Sequence, residues 1–210
     1  MTPNEIETLF TRSDGTYCCA RWGRPIAPIV FGVDDATLSV VKGAIEATCA
    51  MSGHTMAETD PELGSNFMFF FFRDWDELLE VPNLDRIVPE LADLVTKLKS
   101  KDANQYRIFR FDPEGGIKAC FVFIRMDAEL SKVPAETLAL LQVVQSFVLW
   151  SDTAFLDQSP MGRLPNGSVV LKPEIANLIR AIYAPELPVC DQDPSHALRL
   201  FARVSQMEQN

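Results

Sequence analysis

The feature that most constrains the fold is a run of six consecutive apolar residues, Phe67 to Phe72, with the sequence FMFFFF. Charged residues follow at once, beginning with Arg73 and Asp74. Successive side chains of a strand point to opposite faces, so an unbroken apolar run indicates a strand buried on both faces. Exposed to solvent, such a segment would promote aggregation. The run therefore predicts a sheet with helices on both sides.

The segment before this run predicts a strand followed by a helix. Residues 28–33 are rich in β-branched and aromatic side chains, which favour a strand. Apolar residues at helical spacing predict a helix over 35–52, with Asp34 as its cap and Gly53 as its stop signal. Residues 54–60 are interpreted as a short edge strand.

Three further patterns follow the apolar run. Residues 84–98 carry one apolar stripe and predict an amphipathic helix, with Pro89 in its first turn. Residues 106–111 and 117–126 predict a β-hairpin, because two glycines stand between them.

The segment from Pro134 to Trp150 predicts a helix with apolar residues on nearly every side, which is typical of a buried helix. Two more helices are predicted over 172–183 and 193–204. Together these elements predict an α/β (α+β) fold: a mixed twisted sheet with helices on both faces and a central buried helix near 135–150. The length of the chain fits a single domain, 1–210.

The charge of the chain bears on its partners. The net charge is −10, and no cluster of Lys or Arg is visible. Nucleic acids and anionic membranes attract basic surfaces, so we expect neither as a partner. The simplest role of the negative charge is solubility.

The cysteines and the first residues bear on the compartment. The five cysteines are odd in number, and none forms a Cys-x-x-Cys pair. This pattern is typical of reduced core cysteines rather than of a disulfide framework. The segment after Met1 has neither a basic nor an apolar region of the kind that signal peptides carry. We therefore expect a cytoplasmic protein.

No motif for catalysis or metal binding is found. The two histidines, His54 and His196, lack the spacing of zinc ligands, and no Gly-x-Ser-x-Gly or phosphate-binding glycine motif occurs. The carboxylates of residues 74–80 are interpreted as a solvated acidic face, and the Asn166-Gly167-Ser168 triplet as a tight turn. We predict no catalytic residue, no metal ligand and no cofactor.

Several short segments, in their order along the chain, resemble a bacterial family known only as a domain of unknown function. That family looks like a zincin-type (metzincin-like) metallopeptidase fold, and the resemblance spans roughly residues 17–200. The segments that carry it are 21–26, 66–67, 119–122, 145–152 and 182–187.

The resemblance implies that the central helix stands where zincins carry His-Glu-x-x-His. The matching positions here are residues 141–145. Leu141 has no lone pair for zinc, Gln142 cannot accept a proton as a general base, and Gln145 has only a weak amide oxygen. The resemblance thus implies a fold that keeps the helix and has lost the zinc chemistry.

Gln142 and Gln145 are also a candidate site on their own. They are three residues apart, so they share one face of the helix, and buried amides need hydrogen-bond partners. One interpretation is that they rim the helix or bond to neighbouring loops. The alternative is that they line a binding groove, to which we assign Gln142, Gln145 and Asp152.

Three classes of function stay open. The first is a non-catalytic binding or interaction module, resembling a degenerate zinc metallopeptidase, with a protein or peptide partner. The alternative is an enzyme of unrecognised type that uses distributed carboxylates or cysteine. The third is an assembly component with an exposed apolar patch around Trp22 or Trp75. The sequence neither indicates nor excludes a homo-oligomer.

Overall fold

A computed structural model describes residues 1–209, so residue 210, the end of the predicted domain, lies outside the described residues. The α-helices in this range are α1 (Pro3–Phe10), α2 (Asp35–Ser52), α3 (Leu84–Ile87), α4 (Leu91–Ser100), α5 (Ala135–Phe147), α6 (Pro173–Ile182) and α7 (His196–Gln209). The strands are β1 (Cys19–Ala20), β2 (Pro28–Phe31), β3 (Phe67–Phe72), β4 (Gln105–Phe111), β5 (Ile117–Arg125), β6 (Met161–Arg163), β7 (Val169–Leu171) and β8 (Cys190–Asp191). Short 3₁₀ helices cover Trp75–Glu80 and Leu130–Lys132.

The main sheet has four strands in the order β2-β3-β5-β4. Strands β2, β3 and β5 are parallel, and β4 is antiparallel to β5. The predicted mixed sheet and the hairpin of β4 and β5 are confirmed. The pairs β1–β8 and β6–β7 form two separate antiparallel sheets, which the sequence analysis did not predict.

Strand β3 is buried on both faces, as predicted. Phe67 and Phe69 contribute to the core shared with α2 and α5. Phe70 and Phe72 contribute to a second core, formed with Trp75–Glu80, α3 and α4. Helices therefore cover both faces of the sheet, and the α/β class with a mixed sheet is confirmed.

Helix α2 begins and ends where its caps predict. The carboxylate of Asp34 accepts a hydrogen bond from the Thr37 amide at 2.8 Å, which satisfies a backbone donor of the first turn. At the other end Gly53 has a φ of 71°, the left-handed conformation that glycine adopts without strain.

The predicted central helix is present and buried, but it is three residues shorter than expected. Helix α5 ends at Phe147, and Val148 is extended. Val148 forms a bridge with Arg21, and the next amide, of Leu149, donates to the Ala20 carbonyl at 2.8 Å. The apolar residues 148–150 are buried by this pairing rather than by helix formation.

Two other predicted elements were wrong. Residues 54–60 are no strand, because they form only two isolated bridges, Met56 with Ile26 and Asp60 with Gly64. The predicted helix 84–98 is broken into α3 and α4. Val88 stands before Pro89 and is extended, as steric contact with a following proline favours.

The terminal segments pack together. Helix α6 contacts α2 and α7, and α7 also contacts α1. Helix α1 has a capping box, in which the Thr2 hydroxyl accepts from the Glu5 amide and the Glu5 carboxylate accepts from the Thr2 amide. The assembly-component alternative requires an exposed apolar patch, for which Trp22 and Trp75 were candidates, but these side chains are 0% and 1% exposed.

Candidate functional site

A polar cluster links the central helix to the edge strand β4. Helix α5 places Gln142 and Gln145 one turn apart on the same face. Strand β4 places Gln105 and Arg107 on one side of the sheet, because side chains two residues apart along a strand share a face. The structure thus brings the two predicted glutamines together around a residue that sequence reasoning did not single out, Arg107.

The guanidinium of Arg107 is at the centre of this cluster. Its Nη2 donates to Oε1 of Gln142 and to Oε1 of Gln145, both at 2.5 Å, and its Nε donates to the Ser146 hydroxyl at 3.2 Å. The Gln142 amide nitrogen donates in turn to Oε1 of Gln105 at 2.6 Å. Gln142 is fully buried, and its partners are side chains rather than backbone groups.

The charge of Arg107 is held by neutral groups. Within residues 1–209 no carboxylate forms an ion pair with it. Burial lowers the pKa of Arg107 to about 10, because a low-dielectric surrounding disfavours the charged form. The group nevertheless stays protonated at neutral pH. The Oε1 atoms of Gln142 and Gln145, that of Gln105 at 3.5 Å from Nη2, and the Ser146 hydroxyl therefore provide its stabilisation.

Asp152, the third predicted site residue, lies apart from this cluster. Its carboxylate accepts hydrogen bonds from the Ser13 amide at 2.9 Å and from the Ser13 hydroxyl. These bonds lower the pKa of Asp152, since they favour the ionised form. The side chain is exposed and fastens the loop after α1 to the segment after α5.

A wide cleft lies between the terminal helices and the loop that follows Asp152. Its volume is about 660 Å³, larger than two other clefts of about 350 and 250 Å³. Residues of α1, of the 153–159 loop and of the start of α6 form most of its wall, and Glu208 of α7 completes it. None of the three clefts is lined by Gln142, Gln145 or Asp152.

The lining of this cleft, called the terminal cleft below, combines apolar and acidic groups. Its apolar wall residues are Met1, Leu9, Ala154, Phe155 and Ile175. Its carboxylates are Glu5, Asp157, Glu174 and Glu208, and its one lysine is Lys172. Among the side chains of this lining, four carboxylates oppose one ammonium group. Sequence analysis missed this site, although the Thr2-x-x-Glu5 spacing is a helix-start signal that could have placed α1.

The two histidines have separate structural partners. Nδ1 of His196 lies 3.1 Å from the Tyr17 hydroxyl in a buried pocket, and Nε2 of His54 lies 3.0 Å from the Arg24 carbonyl. Burial lowers the pKa of both imidazoles. Over residues 1–209 no three His, Cys, Asp or Glu side chains are grouped so that they could hold a metal ion.

The acidic segment 74–80 stabilises its own 3₁₀ helix. The Asp74 carboxylate accepts from the Asp76 amide at 2.8 Å, and Glu77 accepts from the Asp74 amide at 2.8 Å. Lys99 forms ion pairs with Asp74 and Asp76. These carboxylates are solvated caps, in line with the expected acidic face.

No family model, curated protein or solved structure matches the chain. The function of the site is therefore inferred from its geometry. In the part of the chain that the structure describes, none of the helices has the length and apolar character needed to cross a membrane.

Proposed function

We propose that this protein is a non-catalytic binding module whose terminal cleft takes a basic, partly apolar peptide segment. The observation that carries this proposal is the lining of the cleft, where apolar side chains stand beside four carboxylates and a single lysine. A volume of about 660 Å³ lies in the range of ligand pockets and suits one or two long side chains.

The two kinds of lining residue have different roles. Apolar contact supplies affinity, at roughly 25 cal/mol per Å² removed from water. The carboxylates supply selection for a cation and attract it over a distance, an effect that the net charge of −10 reinforces. Lysine and arginine side chains match both features, because they carry an apolar stem and a charged end.

The three core cysteines, Cys19, Cys49 and Cys120, do not support the enzyme alternative. A cysteine nucleophile needs a lowered pKa, which a positive neighbour supplies. Burial instead raises the pKa of Cys49 and of Cys120 to about 12 and that of Cys19 well above its usual value. Within the described residues, 1–209, the hydrogen bonds of the two histidines go to the Tyr17 hydroxyl and the Arg24 carbonyl, and none goes to a thiol.

We also propose that α5 is a zincin-like helix that has lost its zinc. Supporting this is Arg107, whose guanidinium donates to Gln145, at a position where the resemblance implies a zinc ligand, and to Gln142, at the position of the general base. In this proposal the fixed positive charge of Arg107 takes over the electrostatic role of the lost metal ion. Elemental mass spectrometry of protein purified without chelators tests the idea. Its expected result is no stoichiometric transition metal, and a stoichiometric metal would contradict it.

The cleft is tested with two labelled peptides of equal length, one alternating Lys and Leu and one alternating Glu and Leu. Fluorescence anisotropy is expected to show binding of the basic peptide only, with an affinity that falls as salt rises. Changing Asp157→Asn and Glu174→Gln together is expected to weaken binding roughly 2- to 30-fold, because exposed charge pairs contribute about 0.2–1 kcal/mol each.

The matched control changes two exposed carboxylates outside the cleft, Glu58→Gln and Glu114→Gln, and therefore removes the same charge. It is expected to keep most of the affinity. Equal weakening by both double variants would show that overall charge, and not the cleft, holds the peptide. Absence of binding by the basic peptide at low salt would also contradict the proposal.

A further inference from the structure

Two of the five cysteines lie next to each other near the surface. Strand β1 pairs with β8 so that Ala20 is opposite Cys190. Cys18 is two residues before Ala20 and therefore lies on the same face as Cys190, in the diagonal position. Both side chains are half-buried, and both are free thiols.

The two thiols are close neighbours. Burial together with the nearby Cys18 thiol raises the pKa of Cys190 to about 11. Diagonal neighbours on antiparallel strands have Cα atoms about 7–8 Å apart, and a disulfide accepts up to about 6.8 Å. Closing the bond thus requires a shift of roughly one ångström between two strands of two residues each.

The other cysteines are placed differently. Cys19 points to the opposite face of β1 and is 2% exposed. Cys49 and Cys120 are buried in the core between the sheet and the helices. The pair Cys18–Cys190 is therefore the only one in which both thiols are half-buried, among the cysteines of residues 1–209.

We propose that Cys18 and Cys190 are a redox-active pair that forms a reversible disulfide with a low-molecular-weight disulfide, such as oxidised glutathione, as oxidant. The inference is independent of the proposed peptide binding. The Cys18 thiolate attacks one sulfur of glutathione disulfide, which breaks its S–S bond and releases one glutathione. The Cys190 thiolate then attacks Cys18 Sγ and releases the second. Two protein thiols are oxidised, one glutathione disulfide is reduced to two thiols, and both protons end on glutathione.

The order of these steps follows from what covers each sulfur. The turn Asp112–Gly116 packs on Cys190, since a Cβ built at Gly115 would lie 2.9 Å from Cys190 Sγ. Glutathione disulfide therefore meets Cys18 first, and Cys190 acts as the resolving thiol. The bond would tie the segment after α1 to the segment before α7, which joins two distant parts of the sequence.

The test treats the full-length protein with oxidised glutathione, blocks free thiols by alkylation and maps peptides without reduction. The expected product is a cross-linked peptide pair containing Cys18 and Cys190, which excess reduced glutathione reverses. In Cys190→Ser a mixed disulfide with glutathione is expected to accumulate on Cys18. Cys18→Ser is expected to react at least several-fold more slowly, and Cys49→Ser is the control that keeps the cross-link.

Three results would overturn the inference. The first is wild-type protein in which both thiols stay free under conditions that oxidise a small dithiol. The second is a wild-type product that carries only mixed disulfides. The third is a cross-link that involves Cys19, Cys49 or Cys120. Because the peptide map of the wild type decides each of these, the test does not depend on the variants folding.

Discussion

Nη2 of Arg107 lies 2.5 Å from Oε1 of Gln142, and this bond joins the edge strand of the sheet to the buried central helix. Both groups depend on it. A buried guanidinium without a carboxylate needs every acceptor it has, and a buried amide needs a partner for its oxygen. The pair therefore behaves as one unit in the stability of the fold.

The first prediction concerns this unit. Gln142→Leu and Arg107→Leu are each expected to lower the free energy of unfolding by about 1–3 kcal/mol. The first removes one acceptor of the guanidinium, and the second leaves the buried Gln142 oxygen without its donor. The loss of stability in the double variant is expected to be smaller than the sum of the two single losses, by about 0.5–3 kcal/mol. Urea denaturation of the four proteins measures the coupling. As a control, Arg107→Leu combined with Gln192→Leu, an exposed site, is expected to be additive.

The second prediction concerns mild acid. Burial lowers the pKa of His54 and His196 below the usual 6.5, while Asp191 opposes the shift of His196 and Arg199 adds to it. The unfolded chain then binds more protons than the native one between the native pKa and 6.5. Stability from these groups is complete above 6.5 and falls as the pH drops below it, by up to about 1.4 kcal/mol per pH unit for each histidine.

Urea denaturation at pH values between roughly 7.5 and 5, the range where a histidine titrates, measures this decrease in the free energy of unfolding. In His54→Gln and His196→Gln variants the slope is expected to be smaller, since one titrating group is gone. Hydrogen bonds from the Leu130 amide and from Asn104 lower the pKa of Asp127. Carboxylates of this kind lose their contribution to stability only at more acid pH. An unchanged slope in both variants would show that neither histidine causes it.

The third prediction concerns three glycines. Gly32 has a φ of 80°, and a Cβ there would lie 2.2 Å from the Phe71 carbonyl oxygen. Gly64 has a φ of 72° with open space around it, and Gly43 lies inside α2 with open space as well. Gly64→Ala is expected to cost about 1–2 kcal/mol from backbone conformation alone. Gly32→Ala is expected to cost a further 1–3 kcal/mol, roughly, from the clash.

Gly43→Ala is the matched control for that series. It is expected to stabilise the protein by about 0.5–1 kcal/mol, because alanine favours a helix interior over glycine. Thermal or urea unfolding of the three variants gives their order. A Gly32→Ala variant as stable as Gly64→Ala would contradict the close approach of β2 and β3 at this point.

The fourth prediction concerns the start of α2. Asp34→Ala is expected to lower the free energy of unfolding by about 0.5–2 kcal/mol, because it removes the acceptor for the Thr37 amide. Asp34→Asn keeps an acceptor and is expected to be nearly neutral. Asp35→Ala, at the next exposed position, controls for the loss of charge, and an effect equal to that of Asp34→Ala would contradict the cap.

Local patterns predicted much of the fold. The FMFFFF run, the Asp34 and Gly53 caps and the glycines between β4 and β5 each act over a few residues, and each element is present. The errors arose where contacts from far along the chain compete with a local pattern. Residues 148–150 continue an apolar helical pattern, yet Val148 pairs with Arg21 instead.

The candidate site divides in the same way. Helical spacing was enough to place Gln142 and Gln145 on one face. It could not supply their partner, because Arg107 reaches them only through the packing of α5 on the sheet. Asp152 was assigned to the same groove, whereas its carboxylate accepts hydrogen bonds from Ser13.

By itself the sequence determined the α/β class, the strand buried on both faces, and the shared helical face of the two glutamines. These follow from side-chain periodicity and local backbone preference, which neighbouring residues decide. Only the tertiary structure decided that the glutamines bind the Arg107 guanidinium, where the terminal cleft lies, and that Cys18 is a neighbour of Cys190. Those features join residues separated by 35 positions or more, as Arg107 and Gln142 are. The free energy that brings such residues together is that of burying the whole core, so no local pattern contains it.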